Sequence, residues 1–371
     1  MKGAAQAAPF LCQHRGVAEA GENIELAPLS SLKLGGPAER LVKVTDTTEL
    51  VRLVQAADAE QEPVFFLAGG SNVVIADEGV PGTTIWIRSS GIEERELEDG
   101  RVSLTVAAGE AWDGLVSRAV DSGLAGIECL SGIPGTVGAT PIQNVGAYGQ
   151  EVSSTIASVL ALDRDSGQVA TLAADQCGFG YRSSRFKGDP RFLVLAVEFV
   201  LEPSEQSAPV TYAQLAGSLG VETGERVPLP VARETVLDLR RSKSMVLDPD
   251  DPDSVSAGSF FTNPLLDFAG MADLNARAEE LFGPDDLPPV YPAPEGMAKT
   301  SAAWLIERAG FSKGYGSGPI GLSRNHTLAI VNRGGGTTKE LVAFARQIAG
   351  RVEEVFGVSL VPEPVFVGHR W

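Results

Sequence analysis

Two glycine-rich stretches of this 371-residue sequence could bring backbone close to a ligand. AGGSN (68–72) offers Gly69 and Gly70, whose N–H groups can converge on one anion, with Ser71 and Asn72 adding side-chain donors. Such a nest suits a pyrophosphate, although alone it reads more often as an ordinary turn. SGIPGTVGATPIQNVGAYG (131–149) is too rich in Gly and Pro for regular structure, and a loop of that length inside a domain is usually functional. Its Gly132, Gly135, Gly138 and Gly146 let backbone lie against a flat ring or a phosphate with no Cβ in the way. Two such loops suggest one dinucleotide. GSGPIG (316–321) matches G-x-G-x-x-G, but that fingerprint requires a strand before it and a helix after it. Here a helical pattern precedes it and a proline interrupts it, so it reads as a loop and a Rossmann NAD domain is not expected.

Single polar residues carry the remaining possibilities. Arg182, in YRSSRFK, has a planar fork that suits a carboxylate, and on its own it reads as a surface ion pair. Ser259, in AGSFF, is a poor acid in water but can deliver a proton to a developing carbanion in a dry site; on its own it caps a turn. Glu363, in VPEPVF, is costly to bury unless paired or protonated, or is a solvated edge residue flanked by prolines. His326 reads as a half-buried, hydrogen-bonded histidine.

Composition narrows the partners. Lys+Arg 30 against Asp+Glu 48 gives a formal charge of −18, which repels nucleic acid and anionic membranes and requires a local positive island for any anionic substrate. With three histidines (His14, His326, His369) and three scattered cysteines (Cys12, Cys129, Cys177), no His-rich or CxxC metal centre is expected. The thiols fit a reducing compartment, and the N-terminal residues lack a signal-peptide core. No apolar run approaches the roughly 18 residues of a membrane span, so a cytoplasmic location is expected.

Elements that must position these residues follow from pattern. Residues 1–28 read as an arm. From about 40 to 90 the order is strand, helix, strand, turn, strand, with Asp46 and Glu49 as a capping box, an apolar stripe over 50–57, and short strands at 64–67 and 73–76 flanking AGGSN. Residues 96–109 form a hairpin with an Asp-Gly turn, and 112–123 a helix ending at Gly123. Strands are expected at 159–164 and 192–201, a helix at 229–243, and an acidic, Pro-rich boundary at 248–254. Helices near 271–282, 300–309 and 338–356, the last capped by Thr337 and Glu340, precede a closing strand over 358–368.

Taken together, AGGSNVVIAD (68–77), LSGIPGTVGATPIQNVGAYGQEV (130–152), CGFGYRSSRFK (177–187), AGSFFTNP (257–264), SAAWLIERAGF (301–311) and VPEPVFVG (361–368) resemble, in order, the blocks of the UDP-N-acetylenolpyruvylglucosamine reductase family. The resemblance spans about Leu29 to Gly368. It implies an α+β fold: an FAD-binding domain of the p-cresol methylhydroxylase type at 29–235, in two α+β subdomains divided near 90, then an α+β substrate-binding domain at 240–361 and a terminal strand or tail at 362–371 carrying Glu363. It implies noncovalent FAD, held by Gly69, Gly70, Ser71, Asn72, Ser131, Gly132, Pro134, Gly135, Thr136, Gly138, Ala139, Gln143, Asn144, Gly146, Ala147 and Tyr148. No histidine lies between residues 15 and 325 to tether a flavin, but Cys129 stays open as a tether on sequence alone. The resemblance further implies NADPH and a UDP-sugar as small-molecule partners of a monomer or weak oligomer. NADPH reduces FAD, and hydride then passes to the terminal enolpyruvyl carbon. Arg182 and Glu363 would stabilise the developing charge and Ser259 would give the proton. TYAQL (211–215) and VYP (290–292) resemble the longer form of the family, with Tyr212 on a mobile loop and Tyr291 near the uridine or diphosphate. Lys243, Asn263, Lys299 and His326, beside Asn325, complete the implied substrate contacts. A sugar or alcohol oxidase of the same flavin fold and a flavin- or nucleotide-sugar-binding regulatory module are the alternatives.

Overall fold

The computed structural model describes residues 19–371. Most of the expected arm lies outside them; of the rest, Glu19–Glu25 is a strand and Ala27–Leu29 a short 3-10 turn rather than arm. The described residues form two compact units, one of 19–24 with 38–70 and 80–242, the other of 25–37, 71–79 and 243–371. The division at 242/243 falls near the expected boundary, but the second unit is not one continuous stretch. The second unit also takes two N-terminal segments and includes 362–371, because Val73–Ile75 pairs in parallel with Val365–Val367.

In the first unit, Val80–Ile87 runs parallel to both Pro37–Val44 and Val64–Leu67, with Thr84 opposite Leu41 and Phe65. Parallel neighbours need a crossover, and helix α1 (Thr47–Ala59) supplies it. Asp46 caps α1 by accepting the Glu49 N–H at 2.8 Å, but the second half of the expected box is absent: Glu49 takes the Arg52 guanidinium instead, at 2.8 and 2.7 Å. Leu50, Val54 and Ala57 bury the inner face of α1.

A second, antiparallel sheet has the order 168–173, 156–163, 192–203, 102–107, 92–96. Its hairpin turns at Asp99-Gly100, where Gly100 takes φ +82. Helix α2 (Trp112–Asp121) buries Trp112, whose indole packs on Phe199 at 5.7 Å and donates to Leu130 O at 3.1 Å. Helices α3 (Ala213–Leu219) and α4 (Leu229–Arg241) close the unit, with Leu215, Ala216 and Val236 packed around Cys129.

The second unit holds two three-stranded antiparallel sheets. In one, Ala329–Asn332 lies between Ser256–Ser259 and Ile320–Leu322; in the other, Met297–Thr300 lies between Leu265–Asp267 and Val290–Tyr291. Helices α5 (Phe268–Phe282), α6 (Ala302–Arg308) and α7 (Thr338–Phe356) share its core. The Thr337–Glu340 capping box of α7 is complete. GSGPIG follows α6 and its last two residues, Ile320 and Gly321, enter the strand at 320–322, so it opens no helix. The strand expected over 358–368 shrinks to Val365–Val367, because Pro362 and Pro364 have no N–H to donate to a ladder.

The 71–79 segment is tied down beyond its strand. Asp77 accepts the N–H groups of Thr338 and Lys339 at 2.7 and 2.9 Å, and Thr338 Oγ1 donates to Ile75 O at 2.6 Å. A carboxylate on the first amides of a 19-residue helix satisfies orphan donors and meets the positive end of the helix dipole. Asp77→Ala is expected to cost about 1 kcal/mol of unfolding free energy in urea titrations, with Asp77→Asn recovering part of it.

Candidate active site

The glycine-rich segment of the first unit is shaped by backbone contact. A Cβ on Gly69 would lie 2.5 Å from Gly135 Cα, and one on Gly138 would lie 2.5 Å from Ala108 Cβ. Val137 and Gly138 donate their N–H groups to Glu110 O and Ala108 O, both at 2.9 Å, which fixes the segment against the end of the 102–107 strand. Gly132, Pro134, Gly135, Ala139, Gln143, Gly146, Ala147 and Tyr148 are half-buried, whereas Ser131, Thr136, Gly138 and Asn144 are buried. Several of these polar groups are engaged within the protein. Ser131 Oγ donates to Glu128 O at 2.6 Å; Asn144 donates to Glu151 and Gly180 O and accepts from Ser153 N. Gly132 N–H donates to Asp113 at 2.6 Å. Thr136 Oγ1 is buried and has no hydrogen-bond partner among the described residues.

Arg182 is latched to this same segment. Its Nη2 donates to Gly146 O at 2.9 Å, and its backbone sits at φ +49, a left-handed conformation that costs energy for any residue with a Cβ. Ser184 Oγ, two residues on, donates to Ile142 O at 2.6 Å, so the 180–184 turn is stitched along the glycine-rich stretch. Tyr212, exposed at the start of α3, meets Tyr148 edge-on at 5.6 Å. The Tyr148 phenol is pushed above its ordinary range by burial.

Cys129 has 3% exposure, and burial, reinforced by the Glu128 carboxylate, pushes its thiol up to about 12. A thiol that stays protonated at neutral pH is a poor nucleophile, which weighs against it as a flavin tether.

In the second unit, Ser259 Oγ lies 3.4 Å from His326 Nε2. The strand pairing that puts Ser259 opposite Ala329 carries His326 toward it. The 323–327 turn holding His326 is built on Asp253, almost fully buried, which accepts from Arg324 N at 2.7 Å and from the Arg324 guanidinium at 3.1 and 3.2 Å. Burial raises the Asp253 carboxyl and Arg324 outweighs that, leaving it below its usual range. Asn325 Nδ2 donates to Ser244 Oγ at 2.8 Å. Glu363 donates its N–H to Phe260 O at 2.8 Å and accepts from Asn72 Nδ2 at 3.2 Å on its own carbonyl. Ser259, His326, Glu363 and Asn72 are thus neighbours in one unit. Tyr291 and Lys299 face each other across a strand pair, while Asn263 Oδ1 accepts the Ala302 N–H at 3.0 Å at the start of α6. Lys243 opens the 243–371 segment of this unit. AGGSN is divided, Gly69 and Gly70 falling in the first unit and Ser71 and Asn72 in the second.

Side-chain-free backbone at Gly69 and Gly135, with a buried hydroxyl at Thr136 that a polar ligand group would satisfy, fits a flavin dinucleotide. Among the described residues no group of three or more His, Cys, Asp or Glu could hold a metal ion, and no helix is long and apolar enough to cross a membrane.

Comparison with known proteins agrees with this fit. Residues 38–173 match the family model described as an FAD binding domain, which defines the chain as an FAD-binding flavoprotein. Residues 250–367 match that of the UDP-N-acetylenolpyruvoylglucosamine reductase C-terminal domain. The chain is 54% identical over 346 residues to the UDP-N-acetylenolpyruvoylglucosamine reductase of Thermobifida fusca, covering 93% of this chain and 97% of that one. It is 55% identical over 345 residues to that of Streptomyces avermitilis, covering 92% and 93%. In fold it is similar to the crystal structure of the UDP-N-acetylenolpyruvylglucosamine reductase from Thermus caldophilus, with TM-score 0.61 and 24% identity over 95% of this chain and 99% of that one. The chain belongs to the UDP-N-acetylenolpyruvoylglucosamine reductase family.

Residue types alone did not single out Asp113, Glu128, Arg233 or Asp253. Glu128, fully buried, accepts from Gly126 N, Ala208 N and Gln150 Nε2 at 2.7, 2.6 and 3.0 Å. These acids lie in no motif, and partners such as Arg233, Ala208 and Arg324 lie 120, 80 and 71 residues away.

Two outcomes are expected. Gly69→Ala, pressed against backbone that cannot yield, should purify with far less flavin per chain than the parent by absorbance. In a Cys12→Ser background, Cys129 and Cys177, whose thiols burial pushes up to about 12 and about 11, should resist iodoacetamide in the folded chain at pH 8 and label on denaturation, as read by mass spectrometry.

Proposed function

We propose that this chain reduces UDP-N-acetylglucosamine enolpyruvate to UDP-N-acetylmuramate, using NADPH and FAD, in peptidoglycan precursor synthesis. FAD, when bound, supplies the hydride that it has received from NADPH. Adding hydride to the terminal carbon of an enolpyruvyl group throws negative charge toward the carboxylate end. The Arg182 guanidinium is the group we assign to that charge, because its fork matches a carboxylate and its backbone is held in a strained conformation beside Gly146. Ser259 gives the proton that the adjacent carbon requires, its hydroxyl directed by His326. Glu363, tied through its N–H to the residue after Ser259, supports the charge change at that end. Tyr212, Lys243, Asn263, Tyr291, Lys299 and His326 are assigned to the UDP-sugar. Both reactants are small molecules, and we place the reaction in the cytoplasm with the chain a monomer or weak oligomer.

The observation that carries this reading is the Ser259 hydroxyl 3.4 Å from His326 Nε2, in a chain 54% identical to an enolpyruvoylglucosamine reductase. Reduction of a C=C bond needs a proton for the second carbon; binding alone needs none. Anaerobic stopped-flow absorbance in the visible flavin band tests it. NADPH should bleach the band and the enolpyruvyl UDP-sugar should restore it. Ser259→Ala should leave the NADPH half unchanged and slow the second half by about 10²–10⁴-fold. Equal loss in both halves removes the proton-donor role, and recovery with O2 but not with the UDP-sugar indicates an oxidase instead.

A further inference from the structure

Helix α4 lies outside the 38–173 stretch that matches the FAD-binding family, yet it braces the head of the glycine-rich segment. Arg233, near the start of α4, points its fork at Asp113 on α2, with Nη1 on Oδ1 at 2.7 Å and Nη2 on Oδ2 at 3.0 Å. The same Oδ1 accepts the N–H of Gly132 at 2.6 Å, and Gly132 sits at φ +71. A carboxylate on its own could turn about its last bond. A two-pronged guanidinium fixes its plane, and the amide it holds is fixed with it. One turn further along α4, Val236 shares a buried cluster with Cys129, and Tyr148 packs against that cluster. The side chain of Arg233 is 15% exposed and that of Asp113 41%, so the guanidinium is shielded from solvent while the carboxylate still meets it.

We propose that Arg233 is a positioning residue for FAD: through Asp113 it holds the Gly132 amide, and so sets the backbone path that continues to Gly135 and Thr136 before the cofactor arrives. This rests on the FAD reading above. Its physical content is preorganisation. The segment between Gly132 and Gly138 is held by backbone bonds at Gly135, whose O accepts the Trp112 N–H at 3.1 Å, and at its far end, where Val137 and Gly138 meet Glu110 and Ala108. At its near end Gly132 is held by the Asp113–Arg233 pair. With the near end released, FAD has to order that backbone on binding, and affinity falls by the cost of doing so.

The test uses the full chain, stripped of flavin and titrated with FAD by flavin fluorescence, with thermal melting of the stripped chain run in parallel. Arg233→Ala is expected to weaken FAD by about tenfold or more, with little change in the melting of the flavin-free chain. Millimolar guanidinium is expected to restore part of that affinity, and Asp113→Ala added to Arg233→Ala is expected to cost little more than either alone. Where Arg233→Ala does not fold, Arg233→Lys, which keeps charge but loses the fork, is expected to weaken FAD less, without rescue by guanidinium. The proposal is overturned if the foldable variant binds FAD within about twofold of the parent, or if its loss simply follows a fall in melting temperature with no rescue. A parent chain that binds no FAD overturns the FAD reading as well, whereas a parent that binds and variants that bind alike overturn only the role of Arg233.

Discussion

Val73–Ile75 and Val365–Val367 meet in parallel register, and much of the second unit depends on that short pairing. The bonds that continue it are long-range: Val365 N–H to Asn72 O at 2.9 Å, Ala76 N–H to Val367 O at 2.9 Å, and Asn72 Nδ2 to Glu363 O across 291 residues of chain. Once the two strands are paired, Glu363 has its place beside Phe260, and Asp77 reaches the amides that begin α7. Three ladder positions are few, but Val74 belongs to the core cluster that α5, α6 and α7 share, so the pairing is held by burial more than by its hydrogen bonds.

The first unit solves a different problem, packing backbone directly on backbone. Gly69 lies against Gly135 and Gly138 against Ala108 with no room for a Cβ, and the neighbouring polar side chains are turned back into the protein. Arg182 shares the arrangement, since its guanidinium bonds to the carbonyl of Gly146 from a backbone held at positive φ. Rigidity here comes from ordinary parts: one strained residue, a few amides on carbonyls, and acids placed under the turns.

Much of this was legible from local chemistry. Asp46, Thr337 and the Asp99-Gly100 turn announce their elements because capping and hairpin rules act over three or four residues. The glycines of 69–70 and 131–149 were legible as backbone meant for close approach, and the blocks around Arg182, Ser259 and Glu363 through resemblance. What stayed hidden was long-range. Nothing near Asp113 indicates Arg233, 120 residues away, and nothing near Val73 indicates Val365. A continuous strand over 358–368 was expected because alternation is visible and the cost of two prolines to a ladder depends on a neighbour the sequence does not name. Gly132 reads in the sequence only as backbone free of a Cβ, and nothing there shows that its amide is committed to Asp113.

The two units exchange the chain at 24/25, 37/38, 70/71, 79/80 and 242/243, so neither is encoded by one stretch. Synthesis on a ribosome runs in one direction, and that order makes the second unit wait. Residues 25–37 and 71–79 emerge early, while the strand that receives Val73–Ile75 is made nearly three hundred residues later. Throughout that interval an apolar strand edge is exposed in the nascent chain, the kind of edge that other chains capture. Its briefness, three residues, followed by Ala76 and then Asp77, Glu78 and Gly79, keeps that edge poor as a template for aggregation while it waits.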